Sequence, residues 1–159
     1  MERVDIEQRT MRGIELFESG YNCSQSVVLA FADIYGLTDE LAARIAASFG
    51  GGMGRMRLTC GAVTGMFILV GLELGADAHI DPKKKANNYK QVQYLAKEFD
   101  RINGSTICSV LLGSSKEREI THIPSERTEE YYRHRPCALM VATACHIYAQ
   151  WLNTQTPTE

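Results

Sequence analysis

The segment from Phe49 to Gly75 most constrains the fold, because it joins a glycine- and arginine-rich entrance to the most apolar predicted helix. Its apolar residues recur at i, i+3, i+4, i+7 and i+11, which is the spacing of one buried helical face: Val63, Met66, Phe67, Val70 and Leu74. Thr59 is the expected N-cap, so Cys60 falls at the first helical position. A thiol there lies at the positive end of the helix dipole, and we therefore expect a lowered pKa for Cys60.

Glycines within and before this helix indicate close packing. Gly61 and Gly65 lower the helix propensity, a cost that usually accompanies a neighbouring element packed against the helix. The run Gly50 to Gly54 follows a predicted helix and lacks the Gly-Lys-Ser/Thr ending of a phosphate loop, which argues against nucleotide binding. Close approach to a neighbouring helix or a small cofactor is favoured instead. Arg55 and Arg57 are either solvated cations or a positive rim beside the thiols, where they would contact a cofactor.

Helical periodicity, caps and stop residues predict further helices, and no segment has the alternation of a strand. The predicted helices outside the central one are 4–19, 22–36, 38–49, 81–103 and 136–152, with a short helix at 105–112. Residues 114–135 form an irregular segment of the kind that often serves as a mobile lid or a surface excursion, and 153–159 form a frayed tail. We therefore expect an all-α bundle of five to six helices in a single domain spanning 1–159.

Composition limits the function classes. The 159 residues are 45% apolar and 23% charged, as in an ordinary soluble globular protein. The net charge of −2 and the isoelectric point near 6.1 argue against general nucleic-acid binding. The N-terminus lacks the apolar core of a signal peptide, and the apolar run Ala62 to Leu72 is too short to span a membrane. We therefore expect a cytoplasmic protein that is not an integral membrane protein; a homo-oligomer is compatible with these features.

Two short basic clusters and the histidines are expected on the surface. The clusters, Lys83 to Lys85 and Arg133 to Arg135, are too short to define a binding patch by themselves. His79, His122 and His134 lie in polar surroundings, and no histidine is paired with a cysteine in a pattern that predicts hydrolase chemistry.

Cysteines are the strongest functional signal. Four of the five, Cys23, Cys60, Cys108 and Cys137, each fall in the first turn of a different predicted helix, whereas Cys145 lies inside a helix as a core residue. In a reducing compartment such a set indicates metal binding or redox chemistry rather than structural disulfides. If the four helix starts converge, their dipoles and a bound cation or cluster would offset the thiolate charges. The sequence therefore predicts one pocket containing these four sulfurs.

The residues around these cysteines resemble the C_GCAxxG_C_C family of redox-active proteins. The similarity rests on GYNCSQSV from Gly20, FGGGMGRMRLTCGAVTG with its CGAxxG element, GSTICSVLLG around Cys108, and Pro136-Cys137, and it extends to about Cys145. The resemblance implies a redox-active protein whose functional residues are Cys23, Cys60, Cys108 and Cys137. It also implies a bacterial or archaeal source and a redox partner linked to a transporter system.

Three functions remain open from the sequence. In the first, the four cysteines bind an iron–sulfur cluster or zinc and transfer electrons, since thiolates select these metals. In the second, which we weigh equally, Cys60 is the nucleophile of a thiol–disulfide oxidoreductase or redox sensor, a second cysteine resolves it, and Arg55 and Arg57 stabilise the thiolate. In the third, the cysteines are buried structural residues of a non-catalytic binding module.

Overall fold

The computed structural model describes residues 2–113 and 118–155, and helices dominate both ranges. In chain order they are α1 (Ile6–Glu18), α2 (Cys23–Leu29), α3 (Asp39–Ala46), the single turn α4 (Gly50–Met53), α5 (Gly61–Leu74), α6 (Pro82–Asn103), α7 (Cys108–Leu112), α8 (Glu129–His134) and α9 (Cys137–Gln155). Short 3-10 turns follow α2 and α3 at Ala32–Tyr35 and Ala47–Phe49. Within the described residues there is no strand, so the all-α prediction is confirmed; the single-domain organisation stays a prediction.

Local capping explains several helix boundaries that the sequence predicted. At the start of α2 the Gln25 N–H donates to Asn22 Oδ1 (2.9 Å), and the Asn22 N–H donates to Gln25 Oε1 (3.1 Å), which is the expected capping box. Thr38 caps α3, and Asp81 caps α6, which ends at Gly104 in the left-handed conformation. These side chains satisfy free backbone groups at the helix ends, so the boundaries follow from nearby residues alone.

Some boundaries differ from the prediction. Cys60 is itself the N-cap of α5, so the helix begins one residue later than expected from Thr59 as the cap. The N-cap of α7 is Ile107, although Cys108 does begin that helix. The irregular segment contains α8 after Thr128, and its residues 114–117 lie outside the described part of the chain.

The predicted frayed tail is corrected as well, since α9 continues to Gln155. The Asn153 side chain exchanges two hydrogen bonds with the Val4 backbone, of 2.8 and 3.0 Å, which hold this end of the helix against the N-terminal segment. Residues 156–159 lie outside the described residues.

The buried face of α5 contains residues of its predicted apolar stripe, whereas the buried residues of α3 and α6 are few. Val63, Met66 and Val70 of α5 are fully buried. In α3, by contrast, Leu41 is 47% exposed, and the small residues Ala42 and Ala46 form the buried face. In α6 Tyr89 is exposed, and the buried side chains are those of Leu95 and Phe99. No helix in the described ranges is long and apolar enough to cross a membrane.

Two helix pairs hold the core together at glycines. α1 packs along α9, where a Cβ on Gly13 would lie 2.5 Å from Cys145 Sγ. Cys145 is fully buried, in agreement with its predicted core role. α2 packs along α5, where a Cβ on Gly65 would lie 2.8 Å from Val27 Cβ. The expected close packing at Gly65 is therefore confirmed.

Replacing Gly65 with alanine is expected to lower the free energy of unfolding by about 1–3 kcal/mol, because the new methyl group would overlap Val27 and the Ser24 carbonyl. Gly71→Ala is the matched control in the same helix. Nothing lies within 4 Å of its Cβ position, so the gain in helix propensity should raise stability by up to ~1 kcal/mol. Urea denaturation followed by circular dichroism measures both changes. A Gly65→Ala variant as stable as Gly71→Ala would contradict the close packing of α2 on α5.

Candidate functional site

One cavity of about 340 Å³ lies where four helices begin. Cys23 starts α2, Cys60 caps α5, Cys108 starts α7 and Cys137 starts α9, and all four line this cavity. Cys23, Cys60 and Cys108 are buried, Cys137 is partly buried, and all of them are free thiols. The structure thus brings together the cysteines that the sequence singled out, while their chemical roles stay predictions.

Backbone pairing holds two of these cysteines in register. The Cys60 N–H donates to the Thr106 carbonyl (2.8 Å), and the Cys108 N–H donates to the Leu58 carbonyl (2.6 Å). The isolated antiparallel bridge between Thr59 and Ile107 lies between these hydrogen bonds. Because the two short segments run beside each other, the starts of α5 and α7 face the same cavity.

The glycine-rich turn packs directly against the cysteine-bearing elements. A Cβ on Gly52 would lie 2.6 Å from Cys108 Cβ and 2.8 Å from the Leu58 nitrogen, and one on Gly50 would lie 2.5 Å from the Asn22 side chain. The predicted close approach of this backbone to neighbouring helices is therefore confirmed. Gly52 also has a φ of 73°, which glycine adopts without steric cost.

The left-handed backbone of this turn continues through residues with side chains. Met53, Arg55 and Arg57 have φ values of 67°, 63° and 60°. Each such non-glycine residue costs roughly 1–3 kcal/mol, which the surrounding structure must offset. Strain of this kind is concentrated at functional sites. Here it accompanies two arginines, Arg55 and Arg57, that both line the cavity.

Arg57 is the most deeply buried arginine of the cavity wall. Its side chain is 4% exposed, and Nη1 lies 3.8 Å from Cys108 Sγ. Arg57 Nε is buried without a hydrogen-bond partner in the described part of the chain. Arg55, which is less buried, donates from Nε to the Thr121 carbonyl at 3.0 Å. Both positions suit the predicted positive rim; their role in cofactor binding stays a prediction.

Sequence reasoning missed two further arginines that line the cavity, Arg127 and Arg135. Arg127 donates to the carbonyls of Phe17 (3.1 Å) and Tyr21 (3.0 Å), and its guanidinium lies 4.4 Å from the centre of the Phe17 ring. These contacts attach the 118–135 segment to the C-terminal end of α1. Arg135 donates to Ser125 Oγ (2.8 Å) and stacks on Tyr131 at 4.6 Å.

The interpretation of the basic cluster at 133–135 as solvated surface is wrong for Arg135, although Arg133 and His134 are exposed. One sequence signal could have identified Arg135. It lies two residues before Cys137, which is expected at a helix start. Arg127 has no comparable signal, because it reaches the cavity only through the tertiary path of its segment.

At Cys60 burial has a larger effect on the thiol pKa than the helix N-terminus has. Removal from water raises its pKa to about 12, and the backbone groups of Ala62 and Val63 oppose this only in part. The expectation of a lowered pKa at Cys60 is therefore wrong. Burial also raises the pKa of Cys108, although the nearby Arg57 guanidinium acts in the opposite direction. Both groups are protonated thiols at neutral pH.

Cys137 is the thiol with a lowered pKa. A hydrogen bond from the Cys23 thiol lowers the pKa of Cys137 to about 7 against the effect of burial, and the charges of Arg135, Arg127 and Arg57 act in the same direction. The pKa of Cys23 is raised for the complementary reasons, namely its hydrogen bond to Cys137 and burial. The pair therefore holds one proton between two sulfurs, with the negative charge on Cys137 beside the arginines.

The cysteines do not form a ready-made metal site. Across residues 2–113 and 118–155, no three Cys, His, Asp or Glu side chains are grouped so that they could hold one metal ion. The cysteine sulfurs are suitable ligands by type, but they would have to shift before three of them could hold one ion. Cys23 and Cys137 instead form an interacting pair, since each shifts the pKa of the other.

Comparison with known proteins adds one match. Residues 21–151 match a family model described as "Putative redox-active protein (C_GCAxxG_C_C)". The match covers all five cysteines and the whole cavity wall. No curated protein and no solved structure matches the chain.

Alkylation should identify Cys137 as the reactive thiol. With iodoacetamide its rate of modification should rise as the pH increases through about 7, because the thiolate forms above the pKa. Peptide mapping by mass spectrometry gives the rate for each cysteine. The Cys137→Ser variant should lose this phase, and Cys145 should stay unmodified until the protein unfolds. A fastest-reacting thiol with a midpoint near the ordinary value of 9.0 would contradict the assignment.

Proposed function

We propose thiol–disulfide exchange as the function of this chain, which belongs to the C_GCAxxG_C_C family of redox-active proteins. Cys137 is the attacking thiolate and Cys23 the resolving thiol, so the nucleophile differs from the Cys60 expected from the sequence. The observation that carries the proposal is the meeting of Cys23 and Cys137 in one cavity whose wall also contains Arg57, Arg127 and Arg135. The charges of these arginines lower the pKa of Cys137. A thiolate with a pKa near the ambient pH is the most effective attacking group in such exchange.

The reaction has two exchange steps. Cys137 Sγ forms a bond to one sulfur of a disulfide substrate, the substrate S–S bond breaks, and its electron pair leaves with the first thiolate. Cys23 then gives up its proton to the departing thiolate and attacks Cys137 Sγ. The mixed disulfide breaks and releases the second half of the substrate as a thiolate, leaving a Cys23–Cys137 disulfide. Two electrons pass from the cysteine pair to the substrate.

Return to the starting state requires an external dithiol, which reduces the Cys23–Cys137 disulfide by the same exchange in reverse. The expected cytoplasmic location would supply such reductants, and a redox partner linked to a transporter fits the same role. Cys60 and Cys108 have raised pKa values and so remain thiols beside the pair. In this proposal they form the wall of the cavity and do not attack the substrate.

Single replacements of the two cysteines should have different effects on reaction with bis(hydroxyethyl) disulfide. Cys23→Ser should accumulate a mixed disulfide on Cys137, because no resolving thiol remains. Cys137→Ser should react about tenfold more slowly or worse at pH 7, because the remaining thiols have far smaller thiolate fractions. Intact-protein mass spectrometry distinguishes the adduct from the internal disulfide of the unsubstituted protein.

Cys145→Ala is the control for these replacements, since Cys145 lies in the core away from the cavity. It should react at the unsubstituted rate. Equal rates for Cys137→Ser and Cys145→Ala would overturn the proposal. They would favour the third function considered from the sequence, in which the cysteines are only structural.

A metal or iron–sulfur site is the second candidate. It is favoured by the meeting of four cysteines in one cavity whose arginines would stabilise an anionic thiolate-ligated centre. Cys23, Cys60, Cys108 and Cys137 are the ligands, and an iron–sulfur centre would supply single-electron transfer. The absence of a grouped ligand set among the described residues makes this the weaker of the two proposals.

Measurements on protein purified without oxygen distinguish the metal or iron–sulfur site from the thiol–disulfide exchange. A cluster predicts stoichiometric iron and sulfide with visible absorption, all lost on removal of iron and in Cys60→Ser. Exchange by the thiol pair predicts a colourless protein that is active after metal removal. Metal analysis, the visible spectrum and the disulfide-reduction rate are measured on the same preparation, with Cys145→Ala as the control.

A further inference from the structure

The cavity has an excess of positive charge. Arg55, Arg57, Arg127 and Arg135 line it, and none of the lining residues in the described ranges is Asp or Glu. At neutral pH the Cys137 thiolate offsets only one of these charges. Burial lowers the pKa of Arg55, and the charges of Arg57 and Arg135 lower it further, which is the effect of like charges held close together.

Arg57 indicates where a counter-charge would bind. A buried guanidinium is costly unless it is paired and hydrogen-bonded. The 4% exposed Arg57 side chain has one contact to Cys108 Sγ, and its Nε donor has no partner among the described residues. Arg127 differs, because two backbone carbonyls and three aromatic rings already surround its guanidinium. Arg57 is therefore the available anion donor. Arg55, whose guanidinium also donates to the Thr121 carbonyl and to Ser125 Oγ, adds positive charge beside it.

We infer that the cavity binds a small anion through Arg57 and Arg55, and that its substrates are small disulfides with carboxylate or other oxyanion groups close to the sulfurs. The second half rests on the proposed exchange function; the first half does not. Guanidinium groups recognise carboxylates and phosphates through charge-assisted hydrogen bonds. A cavity of about 340 Å³ lies within the size range for small molecules.

The same arrangement gives a reason for the substrate's orientation. Arg57 contacts Cys108, and its charge also acts on Cys137, so an anionic head group bound at Arg57 lies within the thiol-lined part of the cavity. A head group joined to sulfur by a short chain would then present its disulfide to Cys137. A cationic head group would meet like charge at the same point and be repelled.

Binding is tested first without any thiol chemistry. Suberate has the shape of dithiodipropionate with the disulfide replaced by two methylene groups, so it cannot exchange with a thiol. Calorimetry on the reduced full chain should detect suberate binding, weakened about tenfold or more in Arg57→Gln. Arg55→Gln is the second variant in case Arg57→Gln fails to fold. Arg44→Gln, at an exposed surface ion pair, is the control and should bind as the unsubstituted protein does.

Inorganic phosphate is the second probe and separates the two oxyanion classes. Tighter binding of suberate assigns carboxylate substrates, and tighter binding of phosphate assigns phosphate-bearing ones. Either result supports the anion site. If neither probe binds, the assignment of the anion site is wrong. It is also wrong if both probes bind Arg57→Gln and Arg55→Gln as tightly as they bind the unsubstituted protein.

Reactivity is then compared across three disulfides of similar length: dianionic dithiodipropionate, neutral bis(hydroxyethyl) disulfide and dicationic cystamine. After normalisation to the rates with free dithiothreitol, the protein should prefer dithiodipropionate over cystamine by about tenfold or more, and Arg57→Gln should remove most of this preference. An equal or reversed preference overturns the substrate assignment.

The two proposals fail in different ways. Suberate binding without reduction of any disulfide would contradict the exchange function and leave the anion site supported. Reduction of all three disulfides at similar normalised rates, with no suberate or phosphate binding, would contradict the anion site and leave the exchange function standing.

Discussion

The site depends on the close approach of α2 and α5, which only glycine permits. A Cβ on Gly61 would lie 3.0 Å from the Phe49 carbonyl and 3.2 Å from Cys23 Cβ, and Gly65 meets Val27 one turn further on. Because the two helices touch at their first turns, Cys60 and the Cys23–Cys137 pair share one cavity. Backbone pairing between Leu58 and Cys108 then adds the fourth sulfur. The gathering of cysteines thus follows from the packing of the backbone.

Electrostatics divides these cysteines into two kinds. A helix N-terminus favours thiolate, but only modestly, and the loss of solvent at Cys60 exceeds that effect. At Cys137 a neighbouring thiol donor and three guanidinium groups together exceed the cost of burial. One sulfur therefore ionises near neutral pH while its neighbours hold their protons, which is the asymmetry that the proposed thiol–disulfide exchange requires.

The arginines that create this asymmetry are held at a structural cost. Arg55 and Arg57 lie in a left-handed backbone that disfavours residues with side chains, and Arg57 is buried with an unpaired Nε among the described residues. Arg127 and Arg135 also line the cavity, held by contacts with the end of α1 and with Ser125. Like charges collected around a small cavity oppose folding but favour an anionic ligand. The proposed anion site would account for an arrangement that stability alone does not explain.

Within this protein, the sequence by itself determined the helices and the identity of the four cysteines. Caps such as Asn22 and Asp81, stop glycines and the apolar period act through residues a few positions apart, and the CGAxxG element with its separated cysteines indicates the family. Only the tertiary structure decided which thiol ionises and which cations surround it. The pKa of Cys137 depends on Cys23, Arg57 and Arg127, which are distant along the chain, whereas Cys60 is protonated because other helices exclude water from it. The strength of a charge interaction depends on the distance between the groups and on their burial. Neither quantity can be deduced from residues adjacent in the sequence.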